Sequence, residues 1–190
     1  MLERRRGGET GVRSVQLIDG DAVWQAGRDG RWSRDLLEAA LSRSNELQGL
    51  TRVDARPQDL LRNDLLEELA AHPSAYLIEY RDGTKATLLM LSGAVNDFTF
   101  AARLDGQAEP ISTLFYLPPT PNVVYSAELM HHVEDMFVSG EAGYPVERTL
   151  LTSGMLESCL ESRMQQSRLI ATPHLNVAYR SPEPSTFAQT

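Results

Sequence analysis

The chain has 190 residues, of which 42% are hydrophobic and 23% charged, so it can bury the core of one ordinary domain and is too apolar for disorder. Lys and Arg number 18 against 26 Asp and Glu, and the net charge of -8 repels phosphate backbones and anionic membranes. We therefore expect neither nucleic acid nor membrane as a partner. No apolar leader or membrane-length run is present, which predicts a soluble, cytoplasmic protein.

The first quarter predicts one strand and two helices. Arg4-Arg5-Arg6 is interpreted as a solvated edge, and the alternating residues from Gly11 to Ile18 predict a strand. A short helix is expected over Asp21–Ala26, and a better one from Ser33, as its N-cap, to Leu41. Gly7-Gly8-Glu9-Thr10-Gly11 precedes a strand, whereas a phosphate loop precedes a helix. We interpret it as flexible backbone at the strand entry, with Glu9 a candidate substrate-binding residue.

The middle of the chain predicts a further helix and then antiparallel strands. Leucines spaced by three and four predict a helix over Pro57–Ala71. Ala75–Tyr80 and Lys85–Leu91, separated by Asp-Gly, predict a hairpin with a tight primed turn. Asp97–Leu104 and Ile111–Leu117 are expected to continue the meander, which predicts an α+β class with a mostly antiparallel sheet.

The last third predicts two helices and a closing strand. Ala127–Val138 is expected to turn Leu129, Val133, Met136 and Phe137 inward. A helix from Val146 to about Gln165 is expected to direct Leu150, Met155, Leu156, Cys159 and Leu160 to the sheet, with Cys159 a packed thiol. His174 is placed at the start of the last strand. Residues 1–180 are interpreted as one domain and 181–190 as a flexible tail.

Gly143–Arg163, followed by Leu169–Tyr179, resembles the closing helix and strand of the Gfo/Idh/MocA oxidoreductases. The resemblance covers most of Glu3–Tyr179 and implies a large open antiparallel sheet with helices on one face. It implies the substrate-binding and oligomerisation half of an NAD(P)-dependent enzyme, with a sugar-like substrate. The Gly-rich turn and the Glu-Lys-Pro motif of the family's nucleotide-binding half are missing, since the one lysine, Lys85, precedes Ala86.

Several expectations depend on this resemblance. The given chain holds no cofactor site, so NAD(P) is implied only for a complete family member, and activity of the chain alone is not expected. The chain is interpreted as a truncated or split gene product, with a homo-oligomer and a separate nucleotide-binding subunit as partners. The alternative is a non-catalytic binding or scaffold protein derived from the domain. An upstream reading frame encoding the missing motifs would favour the enzyme.

Two histidines are the catalytic candidates. His131 and Asp135 stand at i and i+4, a spacing that suits a surface pair or two metal ligands. A single pair lacks the further ligands of a zinc site, so no metal is expected. If the resemblance holds, His131 or His132 is the acid/base that receives a substrate hydroxyl proton. The family's early Asp and His pair is not matched, because Asp19–Trp24 contains no histidine.

Overall fold

The computed structural model describes residues 2–5, 7–44, 52–53, 56–57, 65–116 and 123–181. The class is α+β, as predicted, with a four-stranded antiparallel sheet ordered β5-β4-β1-β8. Its strands are β1 (Val12–Asp19), β4 (Ser74–Tyr80), β5 (Lys85–Met90) and β8 (Ile170–Ala171). Two further ribbons pair β2 (Arg52–Val53) with β3 (Arg56–Pro57) and β6 (Phe98–Ala102) with β7 (Ile111–Phe115).

The helices are α1 (Asp21–Arg28), α2 (Arg34–Leu41), α3 (Leu65–Leu69), α4 (Val123–Ser139) and α5 (Val146–Met164), with short 3-10 turns at Leu2–Arg4 and Pro173–Leu175. The predicted cap of α2 is confirmed, because the hydroxyl of Ser33 accepts a hydrogen bond from the Leu36 amide at 3.2 Å. In the part of the chain described, no helix is long and apolar enough to cross a bilayer.

The chain divides into two compact units, residues 18–77 with 87–116, and residues 1–17 with 78–86 and 117–190. In the first of these, a tryptophan within α1 and another shortly after it pack together in the core. Trp24 and Trp32 meet edge to face at 6.3 Å, and the Trp32 indole donates to the Val23 carbonyl at 2.8 Å. Gly27 leaves room for this ring, since a side chain there would collide with it.

The other unit is organised around α5, which lies close to β8 and the Pro173–Leu175 turn. Its inner face consists of small residues, Gly154, Ser158 and Ser162, with Leu151 and Cys159 beside them. Any side chain at Gly154 would meet Leu175. The Ser162 hydroxyl accepts from the Leu17 amide of β1 at 3.0 Å. The helix is therefore held by the close approach of Gly154 to Leu175 and by the hydrogen bond between Ser162 and β1, rather than by a stripe of leucines.

This arrangement corrects the predicted orientation of both long helices. Leu150, Leu156 and Leu160 are each about half exposed, whereas Leu151 is buried, so α5 is rotated from the predicted orientation. The pattern of large apolar residues misled the assignment because small residues allow closer packing than leucines do. On α4, Leu129, Met136 and Phe137 are likewise exposed rather than inward. The buried, packed thiol of Cys159 is confirmed, and burial raises its pKa to about 11.

The predicted hairpin is confirmed, but its turn is different. The Gly83 amide donates to the Tyr80 carbonyl at 3.1 Å, and the Tyr80 amide donates to the Thr84 carbonyl at 2.8 Å. Gly83 has a φ of +88°, whereas Asp82 does not have positive φ. A primed two-residue turn needs positive φ at its first central position. The connection is therefore a three-residue loop closed by a left-handed glycine.

Other elements differ from prediction in extent. Pro57 lies in β3, and the helix expected over Pro57–Ala71 is described only as α3, with 58–64 outside the described residues. β6 and β7 pair with each other in their own ribbon rather than continuing the sheet, with Phe100 and Phe115 edge to face at 6.5 Å. His174 lies in a 3-10 turn after the last strand. Of the predicted tail, 181–190, residues 182–190 lie outside the described residues.

The rotation of α5 leads to a stability prediction. Leu151→Ala should lower the free energy of unfolding by about 2 to 5 kcal/mol, because it removes a fully buried side chain and leaves a cavity. Leu156→Ala, at 54% exposure, should cost under about 1 kcal/mol in dilute solution. Urea denaturation of both variants checks this. Equal losses would contradict the orientation described above.

Candidate functional site

The glycine-rich entry to β1 lies against the end of the described chain. The Glu9 amide donates a hydrogen bond to the Tyr179 carbonyl at 2.8 Å, and the Tyr179 amide donates one to the Glu9 carbonyl at 3.2 Å. Gly8 and Gly11 have positive φ, and a side chain at Gly8 would come within 2.7 Å of the Tyr179 carbonyl oxygen. The glycines are therefore required for close approach of two backbones, which corrects their interpretation as flexible backbone.

Glu9 is an internal anion with all its contacts inside the protein. The residue is 4% exposed, and both of its oxygens accept from the Arg5 guanidinium at 3.0 Å. Oε1 also accepts from the Thr10 amide at 2.8 Å and the Gly11 amide at 3.0 Å. A buried carboxylate requires this degree of pairing. The arrangement holds Glu9 in place and turns it away from solvent.

Arg5 connects this turn to the β4–β5 hairpin. Its Nε donates to Asp82 Oδ2 at 2.5 Å, and its guanidinium lies 4.6 Å from the centre of the Tyr80 ring. The hydrogen bonds to Glu9 raise the pKa of Arg5 further above its ordinary value. Burial raises the pKa of Tyr80 to about 12. Arg5 is thus a structural centre rather than part of a solvated edge, which corrects the interpretation of the arginine run.

Burial and hydrogen bonding shift the pKa of the Asp82 carboxylate in opposite directions. Burial alone would raise its pKa, but the hydrogen bonds from Arg5 and Thr84 outweigh burial and lower it to about 2. Its Oδ1 accepts from the Thr84 amide at 2.9 Å, so the same carboxylate closes the hairpin loop. Asp82 therefore connects the β4–β5 hairpin loop to the ion pair between Arg5 and Glu9.

A second ion group adjoins the first in sequence. Glu3 Oε2 accepts from Arg148 Nε of α5 at 3.0 Å and from the Tyr179 hydroxyl at 2.8 Å. Burial raises the pKa of Glu3, but the Tyr179 hydrogen bond and the Arg148 charge lower it overall. Burial and the hydrogen bond to Glu3 raise the pKa of Tyr179. The phenol is therefore a stable donor over the physiological pH range.

A shallow, open depression of about 430 Å³ lies at this end of the unit. Its lining is polar and includes three arginines: Glu3, Arg4, Arg5, Gly7, Gly8, Arg180 and Ser181. The guanidinium groups of Arg4 and Arg180, a carboxylate and glycine backbone can hydrogen-bond a small polar molecule bearing hydroxyl or carboxylate groups. Glu9 is not among the lining residues, but it accepts two hydrogen bonds from the guanidinium of Arg5, which is one of them.

The predicted catalytic residues lie elsewhere. His131 and His132 are both exposed on α4, with ring centroids 5.9 Å apart. His131 Nε2 is 3.3 Å from Asp135 Oδ2, the helix-surface pair that the spacing predicted. Neither histidine lines the depression. Within the described ranges, no three His, Cys, Asp or Glu side chains come together in a way that could hold a metal ion.

Sequence reasoning missed Arg5, Asp82 and Tyr179 as members of the cluster. One local signal existed, because Arg5 and Glu9 stand four residues apart with opposite charges. The contact between Arg5 and Asp82 spans 77 residues and leaves no periodic trace. Comparisons of the chain with protein-family models, with curated proteins and with solved structures give no match.

The lowered pKa of Asp82 predicts acid sensitivity. Its folded pKa of about 2 lies below its ordinary value of 3.8, so its contribution to stability is present above pH 3.8 and is lost as pH falls toward 2. Asp82→Asn should therefore weaken the fall in unfolding free energy between about pH 4 and pH 2. Urea titrations at several pH values measure this slope. Asp105→Asn, on an exposed loop, is the control and should leave the slope unchanged.

Proposed function

We propose that this chain is the substrate-binding and oligomerisation domain of an NAD(P)-dependent oxidoreductase related to the Gfo/Idh/MocA family. The supporting observation is the junction between its two ends. Two segments that carry the resemblance, Glu3–Val12 and Leu169–Tyr179, pair through Glu9 and Tyr179, and β1, which continues from the first of them, pairs with β8. A domain that closes on itself in this way can be supplied as one module of a larger enzyme.

The polar depression is the proposed substrate site. Its guanidinium groups favour an acceptor-rich ligand, and a sugar or sugar acid presents such oxygens. Arg180 and Ser181 would contact the ligand, whereas the five N–H donors of Arg5 are all engaged inside the protein. Glu9 and Arg5 therefore support the lining, in place of the direct substrate contact of Glu9 predicted from sequence.

The nicotinamide cofactor would come from a nucleotide-binding half outside this chain. A dinucleotide site places the pyrophosphate at the N-terminus of a helix that follows a parallel strand. The pairs of strands described here are antiparallel, so the 190-residue chain itself should not hold NAD(P). We place the complete protein in the cytoplasm, where a lone buried thiol is ordinary.

Two titrations test the proposal. Calorimetry with NADH and NADPH should show no binding to the isolated chain, and micromolar affinity for either would contradict the assignment. Thermal denaturation with a panel of hexoses, inositols and hexuronic acids at millimolar concentration should raise the midpoint for at least one member. Arg180→Ala should remove that shift, and Arg168→Ala, an exposed arginine outside the depression, should leave it unchanged.

The alternative is a non-catalytic binding or scaffold protein derived from the same domain. One observation favours it: the buried Glu9 carboxylate is fully engaged inside the protein, and both candidate histidines lie on an exposed helix away from the depression. Failure of every polyol and sugar acid to shift the midpoint, with self-association retained, would favour this alternative.

Self-association is part of either proposal. Phe98 on β6 and Phe115 on β7 are 57% and 45% exposed and stand directly opposite one another in register. We take this pair as part of the expected interface, because large exposed apolar patches mark interaction sites. We expect at least a dimer by light scattering at tens of micromolar, weakened by Phe98→Glu.

A further inference from the structure

The outer face of α5 carries a regular series of side chains. Val146, Leu150, Leu160 and Met164 are between 47% and 86% exposed. With Ser153 and Glu157 they follow a spacing of four and three residues along the whole helix: Val146, Leu150, Ser153, Glu157, Leu160 and Met164. Alternation of four and three is the heptad spacing of helices that pack side by side. The inner face of α5 is already occupied by its own unit, so this series is a second packing face.

The series is symmetric about Met155. Val146 and Met164 are equally distant from that residue, as are Leu150 and Leu160, and Ser153 and Glu157. In an antiparallel pair of identical helices with a two-fold axis at Met155, each of these residues faces its counterpart. A two-fold interface requires a surface that is complementary to itself. Every heptad series of six positions has this symmetry, so the side chains are what is specific to α5: the four outer positions are apolar and the two central ones are polar.

We infer that α5 pairs with α5 of a second copy of this chain, antiparallel, with the two-fold axis at Met155. Two apolar layers flank the centre on each side, Val146 against Met164 and Leu150 against Leu160. The inference specifies the oligomerisation part of the proposed function, and it adds a helix interface to the β6–β7 surface.

The central layer explains why the pairing has one register. There, the Ser153 hydroxyl of each copy faces the Glu157 carboxylate of the other, and a hydroxyl can donate to a carboxylate. A shift by one heptad would place each Glu157 against Leu160 or Val146, which leaves a charge desolvated and unpaired. A single polar layer within an apolar seam selects register and orientation in this manner.

The size of the face fits a helix pair. The helix has 19 residues and is about 28 Å long. Its exposed apolar side chains, with Leu156 beside them, amount to several hundred Å² per copy, which is the size at which a patch marks an interaction site. A standard interface takes about 800 Å² from each partner. The polar flanks of α5 contribute the remaining area.

Disulfide formation between two single variants tests the geometry. An equimolar mixture of Leu150→Cys and Leu160→Cys chains should form a cross-linked dimer under mild oxidation. Either variant alone should not, since identical positions lie about 15 Å apart along the axis when the pair is antiparallel. The native Cys159 gives little background, because it is 2% exposed and burial raises its pKa to about 11. Cross-linking of Leu150→Cys alone would overturn the antiparallel pairing, and no cross-linking in the mixture would overturn the interface.

A charge variant separates this interface from others. Leu160→Glu should abolish cross-linking when added to both chains of a Val146→Cys and Met164→Cys mixture, the other facing pair. It should leave the circular dichroism spectrum unchanged, since Leu160 is 47% exposed in one copy. Phe98→Glu in the same background should not reduce the α5 cross-link. Equal loss from both variants would overturn the inference. The polyol assay is independent, so a failure here does not contradict the proposed substrate site.

Discussion

Arg5→Ala should lower the free energy of unfolding by about 3 to 5 kcal/mol, because it leaves the buried Glu9 carboxylate without its counter-ion. The change also removes the Asp82 contact and the packing of the guanidinium on Tyr80. Two backbone amides would still donate to Glu9, which keeps the cost within this range. Equilibrium denaturation in urea measures the difference.

Two controls make the Arg5 result specific. Arg4→Ala changes an exposed neighbour and should cost under about 1 kcal/mol. Glu9→Gln combined with Arg5→Ala removes both charges and should recover part of the loss, because no unpaired carboxylate remains. If the double variant lost at least as much stability as Arg5→Ala and Glu9→Gln lose together, the ion pair would not be the source of the stabilisation.

Gly11→Ala should destabilise the protein by about 2 to 5 kcal/mol. Gly11 has a φ of +83°, a conformation that costs an alanine energy. The new side chain would also meet the Leu175 carbonyl oxygen and lie 2.8 Å from the Val177 amide nitrogen. Both are backbone atoms, so relief requires movement of the chain rather than of a flexible side chain.

Gly7→Ala is the matched control, because Gly7 has a similar φ of +93° but open space around it. It should cost about 1 to 2 kcal/mol, the backbone strain alone. Thermal denaturation of both variants separates strain from collision. A loss at Gly7 as large as at Gly11 would mean that the close approach to residues 175–177 does not limit this position.

The sequence by itself determined the local elements and the class of the fold. Alternating and helical periodicities predicted β1, the β4–β5 hairpin, α1, α2, α4 and α5, and the Ser33 cap, since these depend on neighbouring residues. It also predicted the burial of Cys159. Glu9 was selected from the sequence as a site residue, although its partners were not.

Only the tertiary structure decided which face of α5 packs and what Arg5 does. Leu156 and Leu160 suggested an inner face, but Gly154 permits a closer approach to Leu175, and burial follows the closest packing rather than side-chain size. Local sequence carries no record of a partner far along the chain. The role of Arg5 depends on Asp82, 77 residues away, and that contact exists only once β4 and β5 have formed.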